Sequence, residues 1–217
     1  KNWLVAGPYQ RPVQVSGLPD KAQDRMEIIA REMQDKTTGY SDAPVDWTEF
    51  TYAGEKVMWR YYRCGVDALV DVSRVYPVWK FARTWAHARL VVTQPAPVQF
   101  SLSVTGSATV WLNDRQIFDV EGFSGELRTA QFQAELGQEN DLLVRFDQLG
   151  VRSVRNQMSL QVLDHQADDR AALDIVLRVH PALVVVGQSG VAAHNVAVRH
   201  QDDVLAPHLH LVGRDRL

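Results

Sequence analysis

"SATVWLNDRQIFDV", residues 107–120, decides how this chain is read. Two short β-favouring runs, "TVWL" and "RQIF", flank Asn113-Asp114. Asn and Asp tolerate the positive φ that a tight two-residue hairpin turn demands, so the stretch predicts two antiparallel strands. Side chains alternate along a strand. Val110 and Leu112 therefore share one face, and Thr109, Trp111 and Asn113 share the other. With Val110 and Leu112 inward, Trp111 falls on an outer or edge face. There it either covers a neighbouring element or meets a ligand, and an aromatic in such a place packs more often than it binds.

The texture around the hairpin is the same. "VQFSLSVTG" (98–106) alternates, with Phe100, Leu102 and Val104 on one side and Gln99, Ser101 and Ser103 on the other. "VMWRYYRCGVDALVDV" (57–72), "YPVWKFARTWAHARLVV" (76–92), "AQFQAEL", "NDLLVRFDQ" and "QMSLQVL" (157–163) are rich in β-branched and aromatic residues. Short strands at roughly 8–12-residue spacing predict a sandwich or barrel. No helix-length period interrupts them, which argues against a parallel α/β sheet. Upstream, "NWLVAGPY" (2–9) predicts a strand that enters a turn at Gly7-Pro8. Between lies one helix candidate near 20–38, "DKAQDRMEIIAREMQDKTTG". Its Met26, Ile29, Ala30 and Met33 form one stripe, Asp20 can cap its start, and Gly39 sits past its end. The stripe predicts core contact rather than a partner-binding face.

The expected fold is mainly β: an antiparallel jelly-roll or β-sandwich with one N-terminal helix over residues 1–165. The polar, charged "DHQADDRAAL" (164–173) marks a boundary. Residues 166–217 then form a linker and the start of a second, incomplete β-rich module. "KNWLVAGPY" at the start suggests a cut point, so we expect a fragment of a larger polypeptide.

Composition narrows the function classes. The 217 residues carry a formal net charge of -3, and no basic run offers a footprint for nucleic acid. The longest apolar runs, such as "PALVVVG", are too short to span a bilayer as a helix, so neither nucleic acid nor membrane is an expected partner. The one cysteine, Cys64, excludes a disulfide within the chain and predicts a small buried hydrophobe. That fits a cytoplasmic protein or a disulfide-free secreted bacterial-type protein alike.

Catalytic patterns fail on inspection. "VVVGQSGV" (184–191) lacks the second glycine of a nucleophile elbow, because Val191 stands where that glycine belongs. His180, His194, His200, His208 and His210 cluster late, and His208 and His210 would share a strand face. No carboxylate or cysteine sits at ligand spacing beside them, so no metal and no cofactor are expected. Asp46, Glu49, Asp119 and Glu121 are scattered acids without the paired placement of a glycosidase.

The chain resembles a known kind of module. "WLVAGPY" (3–9), Tyr61-Tyr62, the run Trp79, Phe81, Arg83, Thr84 and Trp85, the strand Val98 to Val104, "GSATVWLND" (106–114) and "LGQENDLLV" (136–144) carry the likeness. They are similar to the accessory, galactose-binding-domain-like jelly roll of multidomain glycoside hydrolases. The similarity covers about residues 50–163. Such modules have Gly after the turn Asn, where this chain has Asp114. The resemblance implies a non-catalytic accessory N-terminal module of a carbohydrate-active enzyme, with a downstream catalytic domain as partner and weak glycan contact. Part of a glycoside hydrolase that lends residues to an active site, or a plain protein-interaction module, are the alternatives. Sugar binding needs exposed ring faces beside amide, acid or Arg groups. Trp47, Trp79, Trp85 and Trp111 supply rings, and Arg83, Asn113 and Asp119 supply polar neighbours.

Overall fold

The computed structural model describes residues 2–14, 16–21, 24, 27–29, 37–40, 42–163 and 176–178. The described residues form a β-sandwich of two antiparallel sheets. The larger sheet is ordered β2 (Glu49–Tyr52), β3 (Glu55–Arg63), β1 (Asn2–Pro12), β5 (Arg74–Val91), β10 (Glu139–Val154), β7 (Ser107–Leu112), β8 (Arg115–Val120). Its β5 also pairs with β12 (Val176–Arg178). The smaller sheet is ordered β4 (Val70–Asp71), β11 (Gln157–Leu163), β6 (Ala96–Val104), β9 (Arg128–Leu136).

The main core lies between the sheets. Phe100, Leu102 and Val104 of β6 meet Ala86, Val110, Val144 and Phe146 of the large sheet. Phe132 of β9 stacks on Phe100 at 5.2 Å and on Phe118 of β8 at 4.4 Å, joining the two sheets at one side. The alternation of 98–104 is thus the ordinary signature of a strand with one covered face.

The large sheet is buried on its outer face too. Trp59, Trp85, Trp111 and Leu143 form a second apolar cluster there, packed under Tyr40, Phe50 and Tyr52. Segment 37–40 is fastened over it: Trp85 Nε1 donates to the Thr38 carbonyl at 2.7 Å, and Arg145 Nη1 donates to the Thr37 carbonyl. Burial on both faces explains why residues 81–86 of β5 and 142–149 of β10 are buried without a break.

One local expectation changes. β1 does not end at Gly7-Pro8; its pairing with β5 shifts register between Ala6 and Tyr9, and the strand runs on to Pro12. A side chain at position 7 would stand 2.8 Å from the Arg83 carbonyl, with φ at 104°, so the bulge requires glycine. Of the expected helix near 20–38, residues 24 and 27–29 are helical. Ile29 packs on Phe81 and Leu149, as a core stripe should, whereas Met26, Ala30 and Met33 lie outside the described residues. The expected boundary at 164–173, the 184–191 stretch and the five late histidines also lie outside them. Cys64 is buried at the edge of the main core, as its reading as a small hydrophobe expects.

Candidate functional site

A cleft of about 380 Å³ opens on the outer face of the large sheet. Its floor is a row of directly opposite residues on neighbouring strands. Leu4 of β1 pairs with His87 of β5, His87 with Leu143 of β10, and Leu143 with Trp111 of β7. The rim on the strand-end side is Arg89, Asp141 and Asp114. The opposite wall is Thr38, Tyr40, Asp42, Ala43 and Pro44.

The rim is built by two turns. Asn113 and Asp114 have φ of 50° and 62°, the left-handed pair of a tight hairpin turn between β7 and β8. Asn113 is locked to β10: its amide donates to the Asp141 carbonyl, and its Oδ1 accepts the Asp141 amide, both at 2.8 Å. Its Nδ2 donates to Asn140 Oδ1 at 3.3 Å. Asn140 closes the β9–β10 turn, accepting from the Gly137 amide at 2.9 Å and donating to the Gly137 carbonyl at 2.7 Å. The "VWLND" and "LGQEN" signatures are therefore one braced pair of turns, and this bracing aims Asp114 and Asp141 into the cleft.

The cleft mixes donors and acceptors. His87 Nε2 lies 3.6 Å from Asp141 Oδ1. Burial holds the imidazole below its usual range and outweighs the pull of Asp141; Arg89 adds to the depression. His87 is thus a neutral imidazole at neutral pH. Arg89 Nε lies 3.6 Å from Asp141 Oδ1. Burial pushes the Tyr40 phenol upward, and the carboxylates of Asp114 and Asp141 add to this, so Tyr40 keeps its proton and can donate it. Carboxylates that accept, a guanidinium and a phenol that donate, and the apolar Leu4, Leu143 and Trp111 beneath them suit a ligand with hydroxyls on its edge and C–H groups on its face. Among the described residues, no group of three or more His, Cys, Asp or Glu is arranged to hold a metal ion.

The seven residues chosen from sequence are dispersed. Trp111 borders the cleft but is only 4% exposed, with the Arg145 guanidinium 5.1 Å from its ring centroid. Its outward face was expected, and packing is its main role. Asn113 braces the rim. Trp85 is fully buried under Phe50 and Tyr52. Arg83 is 1% exposed and makes a two-pronged ion pair with Asp147, at 2.9 and 2.7 Å, while Nη1 donates to Tyr52 Oη. Trp79 is half-buried against the Phe81–Leu149 cluster. Asp119 is exposed on β8, opposite Thr109. Trp47 is exposed, with the Arg60 guanidinium 3.5 Å above its ring centroid. Tyr40, Asp42, His87, Arg89, Asp114 and Asp141 were not singled out. Only Asp114 carried a sequence signal, an acid where the resemblance implies glycine.

No family model matches the chain, and no curated protein matches it. Among solved structures, it is similar to a β-glucosidase from Kluyveromyces marxianus in complex with glucose: 17% identity, 76% of this chain, 17% of that chain, TM-score 0.37. It is also similar to a PA14 sugar-binding domain from an RTX adhesin: 11% identity, 74% of this chain, 90% of the domain, TM-score 0.35. A family 35 carbohydrate-binding module from an environmental isolate aligns at 12% identity over 68% of this chain and 96% of the module, TM-score 0.33. The chain thus spans less than a fifth of the β-glucosidase's length.

Proposed function

We propose that this β-sandwich is a carbohydrate-binding module that takes glycan in the outer-face cleft and serves as an accessory to a larger carbohydrate-active enzyme. The observation that carries this reading is the cleft itself. Asp42, Asp114 and Asp141 accept, Arg89 and Tyr40 donate, and Leu4, Leu143 and Trp111 lie beneath. Hydroxyl groups bridge the rim, and these polar contacts, rather than ring stacking, hold the sugar over a floor whose Leu4, Leu143 and Trp111 are almost fully buried. Few groups make contact in so open a site, which sets the expected affinity in the millimolar range, about -4 kcal/mol.

A glycan array followed by calorimetry tests this. Asp141→Asn and Arg89→Ala are expected to remove binding while leaving the melting temperature unchanged, because both side chains are substantially exposed. Retention of no glycan, or full binding by both variants, overturns the reading. Hydrolysis of an aryl glycoside, abolished by changing Asp42, Asp114 or Asp141, would replace attachment with turnover.

A further inference from the structure

The floor row continues beyond the cleft. Tyr61 of β3 pairs directly with Leu4, so the row reads Tyr61, Leu4, His87, Leu143, Trp111 across five strands. Side chains directly opposite one another in a sheet share a face, so all five stand on the outer face. Neighbouring strands lie about 4.8 Å apart, so the four intervals span about 19 Å. The last four residues line the cleft, and Tyr61 is the next position outward. It is 49% exposed and belongs to none of the buried clusters of that face.

A wall follows the same course. Asp42, Ala43 and Pro44 border the cleft, and two residues further on Asp46 Oδ1 accepts the Tyr61 amide at 2.9 Å. Residues 42–46 therefore run from the cleft to the strand that carries Tyr61. Floor and wall together make a track from Trp111 to β3, longer than one sugar ring needs. An exposed phenol ring at the end of that track offers a face on which the C–H side of a sugar can stack.

Charge narrows the ligand. Three carboxylates line the cleft against one guanidinium, and His87 between them is neutral. A chain of uronic acids or sulfated sugars would meet like charge.

Resting on the glycan reading above, we propose that the cleft is the inner part of a groove for a neutral glycan chain several sugars long, lying across the strands, with Tyr61 as its outer stacking platform. Affinity then depends on chain length, and Tyr61 supplies that dependence.

The test is calorimetric and NMR titration of the whole chain with cello-, manno-, xylo- and galacto-oligosaccharides of one to six units. Oligogalacturonate is the acidic comparison. Affinity in the best series is expected to rise about tenfold or more between one and four units. Tyr61→Ala is expected to remove that rise, leave single-sugar binding within about twofold, and leave the melting temperature unchanged. Tyr61→Phe should keep the rise. Equal affinity at every length, a rise that survives Tyr61→Ala, or tighter binding of oligogalacturonate overturns the groove. Single-sugar binding that is lost in Asp141→Asn but does not depend on length overturns the groove alone. Binding of none of the four neutral series, with an empty glycan array, removes the glycan reading together with it.

Discussion

Asp114→Gly should make this protein more stable and a poorer binder. Asp114 sits at φ 62° in the second place of a tight hairpin turn, and its carboxylate lines the cleft. A left-handed backbone costs a residue with a Cβ about 1–2 kcal/mol, a cost glycine does not carry. Glycine also gains freedom in the unfolded chain, which offsets about 0.4–1 kcal/mol of that relief. The net gain is about 0.5–1 kcal/mol, or some 1–4 °C for a chain of this length. Asn113 keeps its bonds to Asp141 and Asn140, so the turn stays in register. Binding moves the other way. One hydrogen bond to a charged acceptor contributes about 1.5–3 kcal/mol, so its loss weakens glycan affinity roughly tenfold or more. Thermal unfolding and calorimetry on the same two proteins read both effects. A melting temperature lowered by several degrees would show that the carboxylate holds the turn; unchanged affinity would show that it plays no part in the site. Either result refutes the reasoning.

Asp147→Ala should cost about 3–5 kcal/mol in urea unfolding, because it leaves the Arg83 guanidinium, 1% exposed, without its counter-charge. Arg83→Met with Asp147→Leu should recover most of that and leave glycan affinity unchanged; a single-variant cost under about 1 kcal/mol contradicts the buried pair. Trp111→Ala should cost about 3–5 kcal/mol, since the ring is packed among Leu143 and its neighbours. A nearly unchanged melting temperature with binding abolished would instead make Trp111 an exposed platform. Burial depresses the His87 pKa in the fold, with Asp141, Arg89 and Asp114 facing it. Below about pH 6.5 the unfolded chain therefore binds more protons than the folded one, and stability falls as pH drops from there towards the folded value. His87→Gln should flatten that slope in melting curves between pH 7.5 and 5.5; an identical slope in both proteins refutes the assignment.

The strands and the hairpin were legible because each depends on neighbours in sequence. Residues 98–104 alternate because β6 has one covered face, and Asn113-Asp114 mark a turn because few other pairs accept two positive φ values. β5 gave a weaker signal. Its Phe81, Ala82, Arg83, Thr84, Trp85 and Ala86 are all buried, so no alternation shows which side chain faces which layer. Arg83 and Trp85 looked available for a ligand for that reason. They are in fact held beneath Tyr52 and Phe50, which the sequence places more than thirty residues earlier.

The cleft was illegible for a different reason. Its floor exists only in the register between strands, where Leu4, His87, Leu143 and Trp111 are brought side by side from four separate segments. Its wall comes from Thr38, Tyr40, Asp42, Ala43 and Pro44, a stretch with no period to read. The double burial that hid Arg83 and Trp85 also limits what binding can use. With Trp59, Trp85 and Trp111 committed to the outer cluster, the large rings are not free to act as open platforms. On the glycan reading, recognition falls to the polar residues where β5 and β7 end and β10 begins, and to the one ring on that row left half in solvent, Tyr61. An acid in a left-handed turn and an aromatic left exposed on β3 each run against stability. Both stand on the same face, and on the glycan reading proposed above that is where stability gives way to binding.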